Sequence, residues 1–421
     1  MALFKTKSSQ GIACPYCFVP VDIRSVGFRC SGQPAAGNLE CVEYPDPQRE
    51  DILNDNKPVL PPVLRRTPSG QHVVDDRERP LLETSALNSA VTCDRCQGRT
   101  STAICVHCHS PLPAELTDGG ITIGVVGARN SGKTVLLTML DQQLMFKMAE
   151  RFQVSIDHPG GTVGLADKLS SFRGNMESRL ELPPQTQSSG GLHRQPPSVY
   201  RWKWLDGSGR SAKSRSRIIS IYDTAGEDVA NLSAAMGQHH LKSANAIMFV
   251  VDPFSFPENR YRAREKGIDP GNEQLTSDVL DGLSTVLSQS ATAARGSNGK
   301  VDIPVAVVIS KIDAFWDDFE AQSPLRRIAP PTPYFDEEES ITAHHHLEAM
   351  MREWGATSIL NKLQAEFSQY RLFGVSALGE EPDYSAGSLK SNVRPSRIAD
   401  PLLWILNREN FVPGTPTQRH G

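Results

Sequence analysis

No apolar run in the sequence is long enough to cross a membrane: the longest uninterrupted stretch, Ala246 to Val251, falls far short of the roughly 20 residues a membrane helix needs. The start, Met1-Ala-Leu-Phe-Lys5, lacks the apolar core of a signal peptide, so a cytoplasmic location is expected. Neither sign of charge dominates. Forty-four Lys plus Arg against 48 Asp plus Glu leave a formal charge of -4, which excludes a chain built to coat nucleic acid or an anionic membrane. No internal repeat of roughly 20 to 50 residues is present. Cysteine is absent after Cys108, whereas a secreted protein held by disulfides would spread its bridges along the chain. What remains is ordinary globular material: 38% hydrophobic and 22% charged residues over 421 positions, enough for about two to four domains with buried cores.

All eight cysteines lie between Cys14 and Cys108, with a Pro-rich, charge-mixed stretch between Glu43 and Ser89 that reads as a linker or extended arm. From Gly119 the texture changes to apolar runs alternating with amphipathic segments, the pattern of a parallel sheet covered by helices. Six strands are predicted at Ile121–Val126, Val199–Trp204, Arg217–Tyr222, Ala246–Val251, Val305–Ile309 and Arg371–Val375. The second alternates apolar and polar residues and is expected at an edge, with a hairpin over Asp206–Ser216 turning it into the third. Helices are expected at about 132–150, 163–181, 228–243, 272–293, 340–369 and 399–410. The division that follows is 1–45 and 91–118 as cysteine modules, 46–90 as linker, and 119–421 as one α/β domain.

Gly127-Ala-Arg-Asn130-Ser131-Gly132-Lys133-Thr134 fits the phosphate-loop pattern, directly after a strand and directly before the helix-like Val135-Leu-Leu-Thr-Met-Leu140. Glycines let backbone N–H groups wrap a diphosphate, and the helix N-terminus adds a favourable dipole. Lys133 is expected on the β- and γ-phosphates and the Thr134 hydroxyl on Mg²⁺.

Three further stations, in order and at strand ends, resemble those of Ras-like GTPases. Asp223-Thr-Ala-Gly226-Glu227 is similar to the second switch, which implies that Asp223 holds Mg²⁺ through water and the Gly226 N–H senses the γ-phosphate. Ser310-Lys311-Ile-Asp313 resembles the guanine-recognition motif, where the Asp carboxylate accepts two parallel hydrogen bonds from N1–H and N2–H of guanine. Ser376-Ala377-Leu378 is similar to the motif whose backbone N–H meets guanine O6. The resemblance, over about 119–412, implies a Ras-like sheet with helices on both faces, GTP and GDP as ligands and GTP hydrolysis with Mg²⁺.

Two departures are visible. Ser310 stands where most relatives have Asn or Thr, its hydroxyl still able to bridge to the phosphate loop. Glu227 stands where the water-orienting Gln is usual, which implies slow turnover without a partner, unless the side chain faces solvent. The segment before Asp223 is enlarged and would hold the first switch; its Mg²⁺-binding Thr is expected to be Thr186 in Leu182-Pro-Pro-Gln-Thr186, with Thr162 the competitor. That enlargement, Asp252-Pro253 and the closing Ala399–Leu406 stretch together resemble bacterial GTPase domains of the double-GTPase type, which are associated with conflict or defence gene systems.

Cys93-x₂-Cys96-x₈-Cys105-x₂-Cys108 has the spacing of a zinc ribbon, and Cys14, Cys17, Cys30 and Cys41 supply a second set; the alternative, Cys14 and Cys17 sharing a metal with Cys105 and Cys108, is open. Four sulfurs per ion leave no open position, so both zincs would be structural. Residues 1–118 carry twelve basic and fourteen acidic residues, which favours docking of a protein over nucleic acid. His107, His109, the pair His239-His240, the run His344-His345-His346 and Arg129 are expected at the surface, and Asp336-Glu-Glu-Glu339 as the acidic first turn of a helix. Besides a GTP-hydrolysing switch, two readings stay open: a nucleotide-dependent adaptor without turnover, and a zinc-containing translation or ribosome-associated GTPase.

Overall fold

In the computed structural model, the described residues are 12–159, 165–183, 197–206, 212–230, 239–268, 273–289, 296, 298–327 and 332–415. The larger part is a seven-stranded sheet, built from β1 (Gly120–Gly127), β2 (Ser155–Asp157), β3 (Ser198–Asp206), β4 (Lys213–Ala225), β5 (Ala246–Val251), β6 (Val305–Ile309) and β7 (Tyr370–Gly374). Its order is β7-β6-β5-β1-β4-β3-β2. β7, β6, β5, β1 and β4 pair in parallel, while β3 is antiparallel to both β4 and β2. This is the α/β phosphate-loop sheet of the Ras-like type, with helices on both faces.

The side-chain alternation of a strand explains the two cores. Ile247, Phe249 and Val251 of β5, with Val305, Val307 and Ile309 of β6, face one apolar cluster. Ala246, Met248 and Val250, with Ala306 and Val308, face the other. Because helices cover both faces, these strands read as unbroken apolar runs. Each fully buried Val, Ile or Phe contributes about 1.5–3 kcal/mol, so a charge at Val307 would unfold the domain's centre.

The helices about the sheet are α1 (Lys133–Gln142), continued by a π-helical stretch (Gln143–Met148) and Ala149–Phe152; α2 (Leu165–Arg179); the short α3 (Gly226–Ala230) and α4 (His239–Lys242); α5 (Glu273–Ser288); α6 (Glu337–Glu353); α7 (Thr357–Glu366); and α8 (Asp400–Arg408), with a six-residue helix, Arg260–Glu265, between β5 and α5. Two expectations need correction. The helix expected over 340–369 is two helices, because Gly355 sits at φ +81 between them, and buried Trp354 packs against Phe315 and Phe256. The strand expected at the edge, β3, is inside it: Ser155–Asp157, too short to show periodicity, pairs along its outer side through Trp202 and Ile156. Asp336 caps α6 by accepting from the Glu339 N–H at 3.0 Å, as its acidic start implied.

Before the sheet, strand Val26–Arg29 lies between Thr84–Ser85 and Thr102–Ile104, antiparallel to both. The stretch read as a linker carries the helix Pro47–Leu53 and a ladder of bridges joining Leu64 to Leu82, Arg66 to His72 and Val74 to Pro80. Among the described residues no helix is long and apolar enough to cross a membrane.

Candidate functional site

A cavity of about 470 Å³ opens at the ends of the parallel strands, where the order turns from β5 to β1 to β4. Asn130, Ser131, Gly132, Lys133, Thr134 and Val135 line it from the β1–α1 turn. Gly226 and Glu227 reach it from the end of β4, Ser310, Lys311 and Asp313 from the end of β6, and Ala377 from beyond β7. Gly127, Asp223 and Ser376 lie just behind this lining. Thr186 and its competitor Thr162 fall outside the described residues.

The Lys133 ammonium is buried and donates to the Gly127 and Ala128 carbonyls at 2.6 and 3.0 Å. Burial pushes its pKa down, and Asp223 and Glu227 pull it back up. Asp223 is half-buried as a residue, but desolvation of its carboxyl raises the pKa against the pull of Lys133, and its Oδ1, closed off from solvent, has no hydrogen-bond partner among the described residues. An orphaned buried oxygen of that kind suits a hydrated cation held between it and the Thr134 hydroxyl, so the residues present fit Mg²⁺. The close approach of loop and switch depends on Gly226: a Cβ there would stand 2.3 Å from the Gly127 carbonyl oxygen.

At the base end the roles divide differently from expectation. The Ser310 hydroxyl donates to the Val251 carbonyl at 3.2 Å and does not bridge to the phosphate loop; Lys311 does, donating to the Asn130 carbonyl at 2.8 Å and pairing with Asp252 at 2.6 Å. Asp252 also caps the Phe254 N–H at 3.0 Å, which fixes it beneath Lys311. Burial raises the Asp313 carboxyl pKa, while a hydrogen bond from Ser376 draws it down. Motif matching missed Asp252 in this role, along with the lining residues Leu182, Ile268 and Tyr384. Glu227 lies 3.8 Å from Arg129 of the phosphate loop; Arg129 is exposed, as expected, and Glu227 partly so, at the rim of the cavity.

The eight cysteines form two sets of four, with all Sγ atoms in each within 4.8 Å of one another: Cys14, Cys17, Cys105 and Cys108, and Cys30, Cys41, Cys93 and Cys96. The first is the pairing left open as the alternative, and the sets built from neighbours in sequence give way to these interleaved ones. The antiparallel register is the cause. Pairing Gly27 with Ile104 and Arg29 with Thr102 sends Cys30 toward Cys96 and leaves the chain before Val26 beside Cys105. Sγ separations of 3.8 Å (Cys14–Cys108 and Cys17–Cys105), 3.6 Å (Cys30–Cys96) and 3.9 Å (Cys41–Cys93) match the edge of about 3.8 Å in a tetrahedron of 2.3 Å Zn–S bonds, so both sets fit zinc.

Each C-x₂-C pair folds as the same turn. Phe18, Gln97 and His109, the residues after the second cysteine, all take positive φ of 54 to 63, and their N–H groups donate to the first cysteine's carbonyl at 2.9 to 3.0 Å. His109 is not a ligand; it binds Asp46 at 3.0 Å, beside the Arg29–Asp46 pair at 2.9 Å. Burial alone would raise the Asp46 carboxyl pKa, but these partners hold it down at about 2. His107 stays exposed.

Two more histidines leave the surface. His240 is buried, stacked on Tyr222 at 3.7 Å, with Nε2 2.7 Å from the Thr224 hydroxyl of the Asp223–Gly226 motif. His344 Nδ1 accepts from the Leu372 N–H at 3.1 Å, and burial lowers its pKa to about 4. The side chain of His239 lies outside the described residues. The first cysteine turn joins the sheet here: Phe18 meets the Tyr222 ring edge-on at 5.6 Å, Ser220 donates to the Pro15 carbonyl at 2.8 Å, and the Tyr16 hydroxyl donates to the Pro159 carbonyl at 2.9 Å.

Fold and site together define a phosphate-loop α/β domain of the Ras-like type carrying an N-terminal module with two zinc-fitting Cys₄ sets. No family model matches the chain, and no curated protein does. Among solved structures it is similar to the Arl6 BBS3 small GTPase of Trypanosoma brucei, at 9% identity and a TM-score of 0.27 over 70% of this chain and 99% of that one. It is also similar to the Ski7 GTPase-like domain of S. cerevisiae, at 13% identity and a TM-score of 0.28 over 69% of this chain and 50% of that one. Era of Aquifex aeolicus matches at 13% identity and a TM-score of 0.25, over 71% and 58%. The functional reading rests on the cavity's own residues.

Proposed function

We propose that the chain is a guanine-nucleotide switch that hydrolyses GTP to GDP and phosphate. The observation that carries this reading is the convergence of Lys133, Glu227 and Asp313, from three strand ends far apart in sequence, on one cavity. In it Lys133 turns from the Gly127 and Ala128 carbonyls to the β- and γ-phosphates, whose charge the α1 N-terminus also favours. Thr134 and Asp223 hold Mg²⁺, with Thr186 the proposed third contributor. When bound, the ion neutralises charge developing on the phosphates. Asp313 accepts the guanine N1–H and N2–H, the Ala377 N–H meets O6, and the Lys311 stem lies along the base, steadied by Asp252.

Asp313→Asn is the test of the base. It removes a charge-assisted pair of hydrogen bonds, so GTP affinity is expected to fall roughly 30- to 150-fold, with preference moving toward xanthine nucleotides. Equal binding of ATP and GTP by the unaltered protein would end the guanine reading.

Turnover depends on Glu227. With a carboxylate where an amide usually orients water, intrinsic hydrolysis is expected to be slow, on the order of 10⁻⁴ to 10⁻³ per second. Glu227→Gln is expected to quicken single-turnover hydrolysis, because the amide orients water without repelling the γ-phosphate. A fast unaltered protein slowed by this change would instead make Glu227 a catalytic base. The adaptor reading keeps one supporting observation, the 3.8 Å approach of Arg129 to Glu227, which can occupy the carboxylate. Docking of a protein partner on the zinc-bearing part and the switches, in a bacterial conflict or defence setting, belongs to the same proposal; the acidic balance of residues 1–118 supports protein over nucleic acid.

A further inference from the structure

The base end of the cavity is closed by two loops that no nucleotide motif accounts for. Gly267 and Ile268, ahead of α5, line one side; Pro382 and Tyr384, beyond β7, line the other. An ion pair between the Lys266 ammonium and the Glu381 carboxylate joins them, each side chain two-thirds or more buried.

The second loop is not a loose flap. Asp383 and Ser388 exchange backbone hydrogen bonds at 2.9 and 3.3 Å, and the Asp383 carboxylate accepts from the Ser385 and Ala386 N–H groups, both at 2.9 Å. The loop is then stitched to the segment that leads into the first switch: the Leu389 N–H donates to the Leu180 carbonyl at 2.8 Å, Leu182 donates to Gly387 at 3.4 Å, and Glu181 bridges to Ser388. Leu182 and Pro183 line the same cavity. Tyr384 therefore stands on a braced turn beside Asp313. Burial, and after it the carboxylates of Glu381, Asp313 and Asp252, hold its phenol in the protonated form.

We propose that the loop over 380–389 is a clasp on the nucleotide's base, with Tyr384 as its aromatic wall and the Lys266–Glu381 pair as its latch, so that it sets the rate at which a guanine nucleotide leaves. The inference rests on the guanine reading of the same cavity. A purine is the ligand class that fits, because an aromatic wall gains from a π-face and Asp313 beside it reads the base edge. The latch is two-point: opening it separates one ion pair, but moving the loop also strains its bonds to Leu180 and Leu182.

The test follows release of a fluorescent N-methylanthraniloyl GDP from the full chain into excess GDP at saturating Mg²⁺. Tyr384→Ala is expected to release it roughly 10- to 100-fold faster, the range of one base-to-aromatic contact. Tyr384→Phe, which keeps the ring, should stay within about threefold of the unaltered protein, and Lys266→Ala, which opens the latch and leaves the wall, should release several-fold faster. If Tyr384→Ala is folded and releases at the unaltered rate, the clasp is wrong. If that variant does not fold, an unaltered rate in Lys266→Ala overturns it equally. Failure of the unaltered protein to bind the probe would remove the guanine reading itself, and the clasp with it.

Discussion

Lys133→Ala is expected to lower GTP affinity by about two to three orders of magnitude while leaving the domain folded. The ammonium is the one basic group buried in the phosphate loop, and a phosphate that has lost it keeps backbone N–H groups and the helix dipole but not its closest positive charge. Removing one partner from a buried charge pair costs about 3–5 kcal/mol, and each 1.4 kcal/mol is tenfold in affinity. The fold should survive because Lys133 bonds only to carbonyls of its own turn, Gly127 and Ala128, whereas the flanking strands hold themselves through the two apolar clusters. Titration calorimetry beside a melting curve separates the two effects. Nucleotide bound equally well at matched melting temperature would mean that the loop cradles no phosphate.

Zinc removal is the second large effect. Elemental analysis of protein prepared under reducing conditions should return two zincs per chain, since each Cys₄ set is closed and fits one ion. A structural zinc supplies on the order of 10 kcal/mol at neutral pH, and the cysteines sit inside the apolar cluster of residues 12–118 beside Val26, Phe28 and Val63, so losing the metal opens that core. Chelation should unfold that region and make it sensitive to protease. The nucleotide domain is not expected to pass unaffected, because Val199 of β3 and Ile218 of β4 belong to the same apolar cluster as the cysteines. Phe18 also leans on Tyr222 and His240, behind the second switch. Its melting temperature should fall by several degrees on chelation. Well under one zinc per chain, or a nucleotide domain indifferent to chelation, would contradict this account.

The strands of the sheet were legible because unbroken apolar runs such as Ala246–Val251 can arise only where both faces are covered, and the structure places that strand at the same residues. The turn before α1 was legible because its geometry is local: Gly132 stands at φ +83 directly ahead of the helix, which Lys133 and Thr134 open. What escaped was long-range. The spacing left two pairings open for Cys14 and Cys17, and the choice between them is made by the register of Val26–Arg29 on Thr102–Ile104. His240 looked like a surface residue because polar pairs near a helix end usually are, and its burial comes from distant partners, Tyr222 and Thr224 at the end of β4 and Phe18 from the cysteine turn. Ser310 carried a donor that could reach either way, and the nearer Val251 carbonyl took it.

The interleaved cysteines also impose an order on biosynthesis. The site of Cys30 and Cys41 cannot close until Cys96 has left the ribosome, 55 residues after Cys41, and that of Cys14 and Cys17 not until Cys108, 91 residues after Cys17. At bacterial or eukaryotic elongation rates these intervals last roughly 3 to 18 s, during which four nascent thiols wait without their partners. When the last cysteines emerge, the nearest complete set along the chain is Cys93, Cys96, Cys105 and Cys108, which is the wrong one. Metal committed to that set would have to be released again, so scarce zinc that exchanges between ligands serves the newborn chain better than a sudden excess.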